Sequence, residues 1–228
     1  MMMGPEVYYS RKLKGKSVDE IMKCIRSLKK TIKQLKDEME HPDYQKDLIV
    51  HPSERVQLSS IRLYLERAKQ ALVEAGGEYK PTKAELIAQD FQNNIPYINK
   101  IVFRIGGYFE EQELRTYILE DENVRLYMEH SLRYKPGDDK EERECDLTKA
   151  DLLEGIEELY IGEWLHNYDP SRFGYFVLDG TQWELEIYFS NGHRAVKKYG
   201  SNSYPYNFSA FCDLIGYEFV EDIDIEEE

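Results

Sequence analysis

The chain has little cysteine: Cys24, Cys145 and Cys212 are the only three among 228 residues, and they lie far apart. An odd, scattered set does not suit a disulfide framework or a zinc site, so a reducing cytoplasm is the expected setting. Long apolar runs are also missing, and nothing approaches the length of a membrane span. The opening, Met1 to Glu6, has no apolar stretch of the secretory kind, and Gly4 is not where N-myristoylation needs its glycine. No membrane partner is expected.

The usual catalytic signatures are absent too. There is no G-x-S-x-G, no phosphate loop, no G-x-G-x-x-G and no H-E-x-x-H. The five histidines, at 41, 51, 130, 166 and 193, do not fall at metal-ligand spacings. His166 and Asp169, three apart, could form one side of a metal or acid/base site, but that pattern is common by chance. Neither a catalytic residue, a metal nor a cofactor is expected.

What is present is a globular composition. Hydrophobic residues make up 41% and charged residues 32%, enough for a core and too apolar for disorder. Tyrosine is frequent, with 18 copies, and Tyr favours interfaces because it joins a stiff apolar ring to a polar tip. Charge is unevenly spread. Residues 1–90 hold 17 basic and 14 acidic side chains, a net of +3, whereas residues 91–228 hold 13 and 30, a net of −17. Such asymmetry points to two units with different surfaces, and the acidic half would repel phosphates.

The first unit, residues 1–94, reads as an antiparallel α-helical, coiled-coil hairpin with a short third helix. Ser17-Val18-Asp19-Glu20 is a capping box. Val18, Ile21, Ile25, Leu28, Ile32, Leu35 and Met39 then follow alternating spacings of 3 and 4, a heptad seam. The helix should stop before His41-Pro42. Pro52 suits the start of a second helix, with Leu58, Ile61, Leu65, Ala68, Leu72 and Ala75 as its seam. Gly76-Gly77 ends it. Thr82 and Glu85 form a further capping box for the third helix, with Leu86, Ile87, Asp90 and Phe91 as its stripe. Lys29, Lys30, Lys33 and Lys36 make a basic stripe on the first helix, either a solvated face or a docking surface for an acidic partner or nucleic acid.

The second unit, residues 95–228, reads as an antiparallel sheet of about five strands with two packing helices and an acidic tail. The overall class is thus α+β. Ile101, Phe103 and Ile105 alternate with polar neighbours, Gly106-Gly107 follows, and Leu114 to Leu119 is rich in strand formers. Asp121-Glu122-Asn123 is a turn. Val124, Leu126, Met128 and Leu132 alternate with Arg125, Tyr127, Glu129 and Arg133, which places His130 among the inward positions. After a charged loop at 135–144, Thr148 with Asp151 caps a helix expected to bury Leu152, Ile156, Leu159, Tyr160 and Trp164 and to end near His166 to Tyr168. Trp183, Leu185, Ile187 and Phe189 alternate with polar residues up to Asn191-Gly192, which predicts a type I′ hairpin. The return strand, Arg194 to Tyr199, stops at Gly200. Asn207 is placed to cap a last helix carrying Phe208, Phe211 and Leu214.

The stretch Leu178-Asp179-Gly180-Thr181-Gln182-Trp183-Glu184-Leu185-Glu186-Ile187, then Asn191-Gly192, then Gly200 to Phe208 resembles a C-terminal module of uncharacterised bacterial proteins. Its pattern is D-G-x-x-W-x-L-x-I, a hairpin, then G-x-N-x-x-P-x-N-[FW], and the resemblance covers about residues 95–216. It implies this architecture and a bacterial, mobile-element setting, and it brings no activity. Trp183, Asn202 and Tyr204 are the candidate recognition residues of the module, set against simple turn and capping roles.

The expected function is that of a non-catalytic adaptor that docks on a protein through its hairpin and Tyr-rich surface. Nucleic acid would bind only weakly, through the lysine stripe, and self-association could use the hairpin. The alternative is an acidic, anti-defence or anti-CRISPR-like inhibitor that imitates nucleic acid, suggested by the seven acidic residues between Glu218 and Glu228.

Overall fold

The computed structural model describes residues 3–44, 52–107, 111–120, 122–132, 141–177 and 179–219. His51, Asp121, Arg133, most of the charged loop 135–144, Leu178 and the tail beyond 219 lie outside the described residues. The chain forms two compact units, Met1–Thr82 and Lys83–Glu228.

In the first unit, a short helix α1 (Pro5–Tyr8) runs into a π-helical turn, Tyr9–Leu13. Two long helices follow, α2 (Val18–Met39) and α3 (Glu54–Glu74), and they pack on each other. The capping box forms: the Ser17 amide donates to the Glu20 carboxylate at 2.9 Å, and the Glu20 amide donates to Ser17 Oγ at 3.4 Å. The first of these bonds also holds the Glu20 carboxyl below the usual range. Along α2, Ile21, Ile25, Leu28 and Leu35 are buried, while Ile32 and Met39 are only half-buried. Along α3, Leu58, Ile61, Leu65, Ala68 and Leu72 are buried and Ala75 is exposed.

Helix α3 starts two residues after Pro52, behind Ser53, and ends in a Schellman motif. Gly76 takes φ +80, the Gly77 amide donates to Leu72 and the Gly76 amide to Val73, both at 2.9 Å. The N-terminal segment clamps onto α3. Tyr8 stacks on Tyr64 at 4.4 Å, and the Arg67 guanidinium lies 3.7 Å from the Tyr9 ring centre while pairing with Glu6 and Glu74.

The second unit begins with α4 (Lys83–Asn94), so the division falls after Thr82 and not after 94. Packing explains why: Gly162, in a 3-10 turn at Ile161–Glu163, presses against α4, where a Cβ would lie 2.9 Å from Phe91 Cβ and 3.0 Å from Ala88 Cα. Leu86 and Ile87, expected within the helix's stripe, are exposed.

The sheet has seven strands among the described residues: β1 (Ile98–Gly107), β2 (Glu111–Glu120), β3 (Asn123–Leu132), β4 (Glu141–Arg143), β5 (Asn167–Tyr168), β6 (Thr181–Phe189) and β7 (Val196–Ser201). Their order is β4-β3-β2-β1-β6-β7-β5, antiparallel throughout except for the parallel β5–β7 pair. Five were expected. The two extra strands, β4 and β5, are edge strands of three and two residues. Runs that short carry no alternation to read, and only their partners define them.

One face of the sheet carries the core. Ile101, Phe103, Ile105, Tyr117, Leu119, Trp183, Leu185 and Ile187 pack with Leu152, Ile156 and Leu159 of helix α5 (Lys149–Leu159) and with Phe208 and Phe211 of helix α6 (Phe208–Leu214). Trp164 joins this core, 6.2 Å from Trp183 and 5.6 Å from Phe211 between ring centres.

Four local expectations are corrected. Helix α5 ends at Leu159, because Tyr160 turns to φ 52; its side chain is exposed, and Trp164 reaches the core from beyond a 3-10 turn. His130 faces the core side in register but is exposed, opposite Glu113. Asn191-Gly192 does not form a type I′ turn, which needs two positive φ values: only Gly192 has one. Residues 190–195 form a longer connection tied to α4, with Asn191 Nδ2 donating to Asn94 at 2.7 Å and His193 Nε2 2.8 Å from Asp90.

The fourth correction concerns Asn207. It does not cap α6 with its side chain. Its Oδ1 accepts from Trp164 Nε1 at 2.9 Å and its Nδ2 donates to the Leu159 carbonyl at 2.7 Å, which joins α6 to the end of α5.

Candidate functional site

The face of the sheet opposite the core carries a cleft of about 400 Å³. Register explains how it arises. In one cross-strand row, Gln112, Gly106, Gln182 and Ser201 stand side by side on β2, β1, β6 and β7. In the neighbouring row, Leu114, Arg104, Glu184, Tyr199 and Asn167 do the same, ending on β5. Gly106, between the two glutamines, has no room for a side chain, because a Cβ there would lie 2.7 Å from Gln112 Cα. The cleft is lined by the amides of Gln112, Asn167 and Gln182, the Arg104 guanidinium, the Glu184 carboxylate and the Tyr199 ring.

These groups are not consumed by one another. Among the described residues, the side chains of Arg104, Gln112, Gln182 and Glu184 make no hydrogen bond or ion pair, although Arg104 and Glu184 are direct cross-strand partners. Gln112 is only 7% exposed. Farther along the same face the polar groups are paired: Glu186 accepts from Lys197 and Tyr188, and Lys100 lies 3.9 Å from the Tyr188 ring centre. The Lys197 and Tyr188 bonds hold the Glu186 carboxyl below its usual range against the effect of burial.

His166 and Asp169 do not form a joint site. His166 stands at the rim of the cleft, 4.9 Å from the Tyr199 ring centre, with Nδ1 2.9 Å from the Lys197 carbonyl. Asp169 accepts from the Ser171 amide at 2.8 Å and starts a 3-10 turn, Pro170–Phe173. Among the described residues, no group of three or more His, Cys, Asp or Glu converges as a metal site.

The other candidate residues serve different ends. Lys29 donates to Tyr79 Oη at 3.1 Å and Lys33 pairs with Asp37; Lys30 is exposed and Lys36 half-buried. Lys29 and Lys33 thus have partners within their own unit, and Lys36 also makes an interaction. Trp183 borders the cleft, but it is 2% exposed, with Nε1 donating to the Ser203 carbonyl at 3.0 Å. Asn202, at φ 48, donates to the Asp179 carbonyl at 2.8 Å. Tyr204 packs 4.9 Å from both Phe208 and Phe219. The three converge on one corner that closes the sheet.

Among the described residues, three groups have strongly displaced pKa values, and all lie on the core side. Burial pushes Tyr117 and Cys212 up to about 12 and Lys198 down to about 8. Lys198 donates to the Trp164 carbonyl at 2.5 Å.

No protein-family model, curated protein or solved structure matches the chain. Among the described residues, no helix is long and apolar enough to cross a membrane.

The cleft is the part sequence reasoning missed. Its walls come from five separate strands, and no local pattern announces that Gln112 and Gln182 share a row. Trp183, a recognition candidate from the sequence, stands at its border.

Proposed function

We propose that this chain is a non-catalytic, protein-binding adaptor whose helices α2 and α3 form an antiparallel coiled-coil hairpin that docks on a protein partner. One observation carries this reading. The outer side of α3, away from its buried seam, exposes Val56 (50%), Leu63 (53%) and Val73 (64%). Val56 and Leu63 are seven residues apart and lie on one stripe, whereas Val73 stands roughly 80° round the helix from Leu63. The outer positions of a two-helix pair are normally polar, and the Val56–Leu63 pair on one stripe is the apolar contact surface this reading uses.

The lysines of α2 would steer an acidic partner toward this arm and hold nucleic acid only weakly. A second copy of the chain would be one such partner. The three dispersed thiols support a cytoplasmic setting, and the resemblance of the 179–208 stretch supports a bacterial, mobile-element origin.

Replacing Val56 and Leu63 together by Glu tests the reading. Tagged wild-type chain should retain a protein from its native lysate that the double variant loses, with the melting temperature unchanged. Equal retention by both would contradict the reading.

A second reading, mimicry of nucleic acid, draws on α5. Its exposed positions include Asp151, Glu154, Glu157 and Glu158. On the open sheet face, by contrast, Glu184 and Glu186 alternate with Arg104, Lys100 and Lys197, and that mixed pattern supports the adaptor. Charge reversal at Asp151, Glu154 and Glu158 should leave partner retention intact if the chain is an adaptor and abolish it if the chain is a mimic.

A further inference from the structure

We propose that the cleft on the open face of the sheet is a binding site for a neutral, polyhydroxylated ligand, a saccharide unit. This goes beyond the docking of α3, since every wall of the cleft belongs to the sheet.

The site is built. Gln112 and Gln182 stand in one row of its walls, and the adjoining row sets Arg104 beside Glu184 with Tyr199 at the end. Gln112 lines the cleft and its side chain makes no hydrogen bond among the described residues, so its amide can bond to a ligand or water there. The volume, about 400 Å³, falls within the roughly 300–1,000 Å³ typical of small-ligand sites.

The chemistry of the walls selects the ligand class. A guanidinium donates in a planar fork, a carboxylate accepts with two oxygens, and each amide does one of each. Neighbouring hydroxyls on a sugar ring both donate and accept at adjacent positions, so they can engage all three kinds of group. The half-exposed ring of Tyr199 offers an apolar platform for the C–H face of the sugar. Charge excludes the obvious competitors. Arg104 and Glu184 cancel, so an anion would meet Glu184 as well as the −17 of residues 91–228, and a cation would meet Arg104. A neutral polyol meets neither penalty.

Saturation-transfer NMR on the full chain tests this. The probes are glucose, galactose, mannose and N-acetylglucosamine, the cello-, chito- and malto-oligosaccharides that separate free sugars from polymer segments, and a glycine dipeptide as zwitterionic control. At least one saccharide should show transfer at millimolar concentration. Tyr199→Ala and Gln112→Leu should each weaken it by roughly tenfold, the loss expected for a ring contact or a hydrogen bond, with the melting temperature held. Glu184→Gln, which keeps the shape, checks any variant that melts early. Transfer to no saccharide, transfer unaffected by all three variants, or transfer to the dipeptide alone would overturn the proposal.

Discussion

Tyr117 on β2 donates its hydroxyl to the carbonyl of Ile215 at 2.6 Å, across 98 residues of sequence. Ile215 is the C-cap of α6, where helix carbonyls lack intrahelical partners. Arg115, two residues away on the same face of β2, donates to the same carbonyl at 3.1 Å and to Gly216 at 2.7 Å. The strand thus caps the helix. Tyr117→Phe should cost about 1 kcal/mol, with Arg115 still holding the carbonyl. It should also change the alkaline limb of stability. Burial raises Tyr117 to about 12, so between about pH 10 and 12 the folded state keeps a proton that the unfolded state has lost. Stability therefore falls with rising pH in that window, and Tyr117→Phe should fall less. Denaturant melts from pH 9 to 11 check both points.

Asn207→Ala should cost about 2 kcal/mol, because it orphans both the Trp164 indole and the Leu159 carbonyl. A lost N-cap alone would cost about 1 kcal/mol. Asn207→Ser separates the two roles: serine is a good cap but too short to bridge, so it should rescue nothing. Urea melts of the two variants should coincide.

Gly200 owes its place to space and not to backbone angle. Its φ is not positive; a Cβ would lie 2.5 Å from Trp183 Nε1 and 2.6 Å from the Ser203 carbonyl. Even Gly200→Ala should therefore cost about 1–3 kcal/mol, the range for overpacking. The left-handed residue of this corner is Asn202, at φ 48. There Asn202→Gly should be milder than Asn202→Ala, since glycine accepts that angle. The same melts read all three variants.

Lys198 gives a pH dependence of opposite sign. Its pKa is lowered to about 8 by burial, so between about pH 8 and 10.4 the unfolded state binds the extra proton. Stability from this group rises with pH across that window, by up to about 3 kcal/mol if the full displacement is expressed. Lys198→Met should be most favourable relative to wild type below pH 8 and should lose that advantage toward pH 10. A constant difference across the range would contradict burial of the Lys198 amine.

Local signals were readable where a few neighbouring residues decide the structure. The Ser17–Glu20 box, the Gly76 cap, and the alternation of Trp183 to Phe189 all form as their spacing implies. Reading failed where distant partners decide. The amide of Asn207 looked like a cap but bridges two elements, and Asn191-Gly192 looked like a tight turn but is pulled onto α4. His130 follows the right parity yet stands exposed at the end of its strand. The cleft was illegible for the same reason: its rows exist only once five strands are in register.

The most direct test of the adaptor reading is hydrogen exchange of the full chain, alone and bound to the protein it retains. New protection should fall on the α3 segment 54–74, with exchange at 104–112 and 182–201 unchanged. Protection confined to those sheet segments, with α3 exchanging as before, would contradict it.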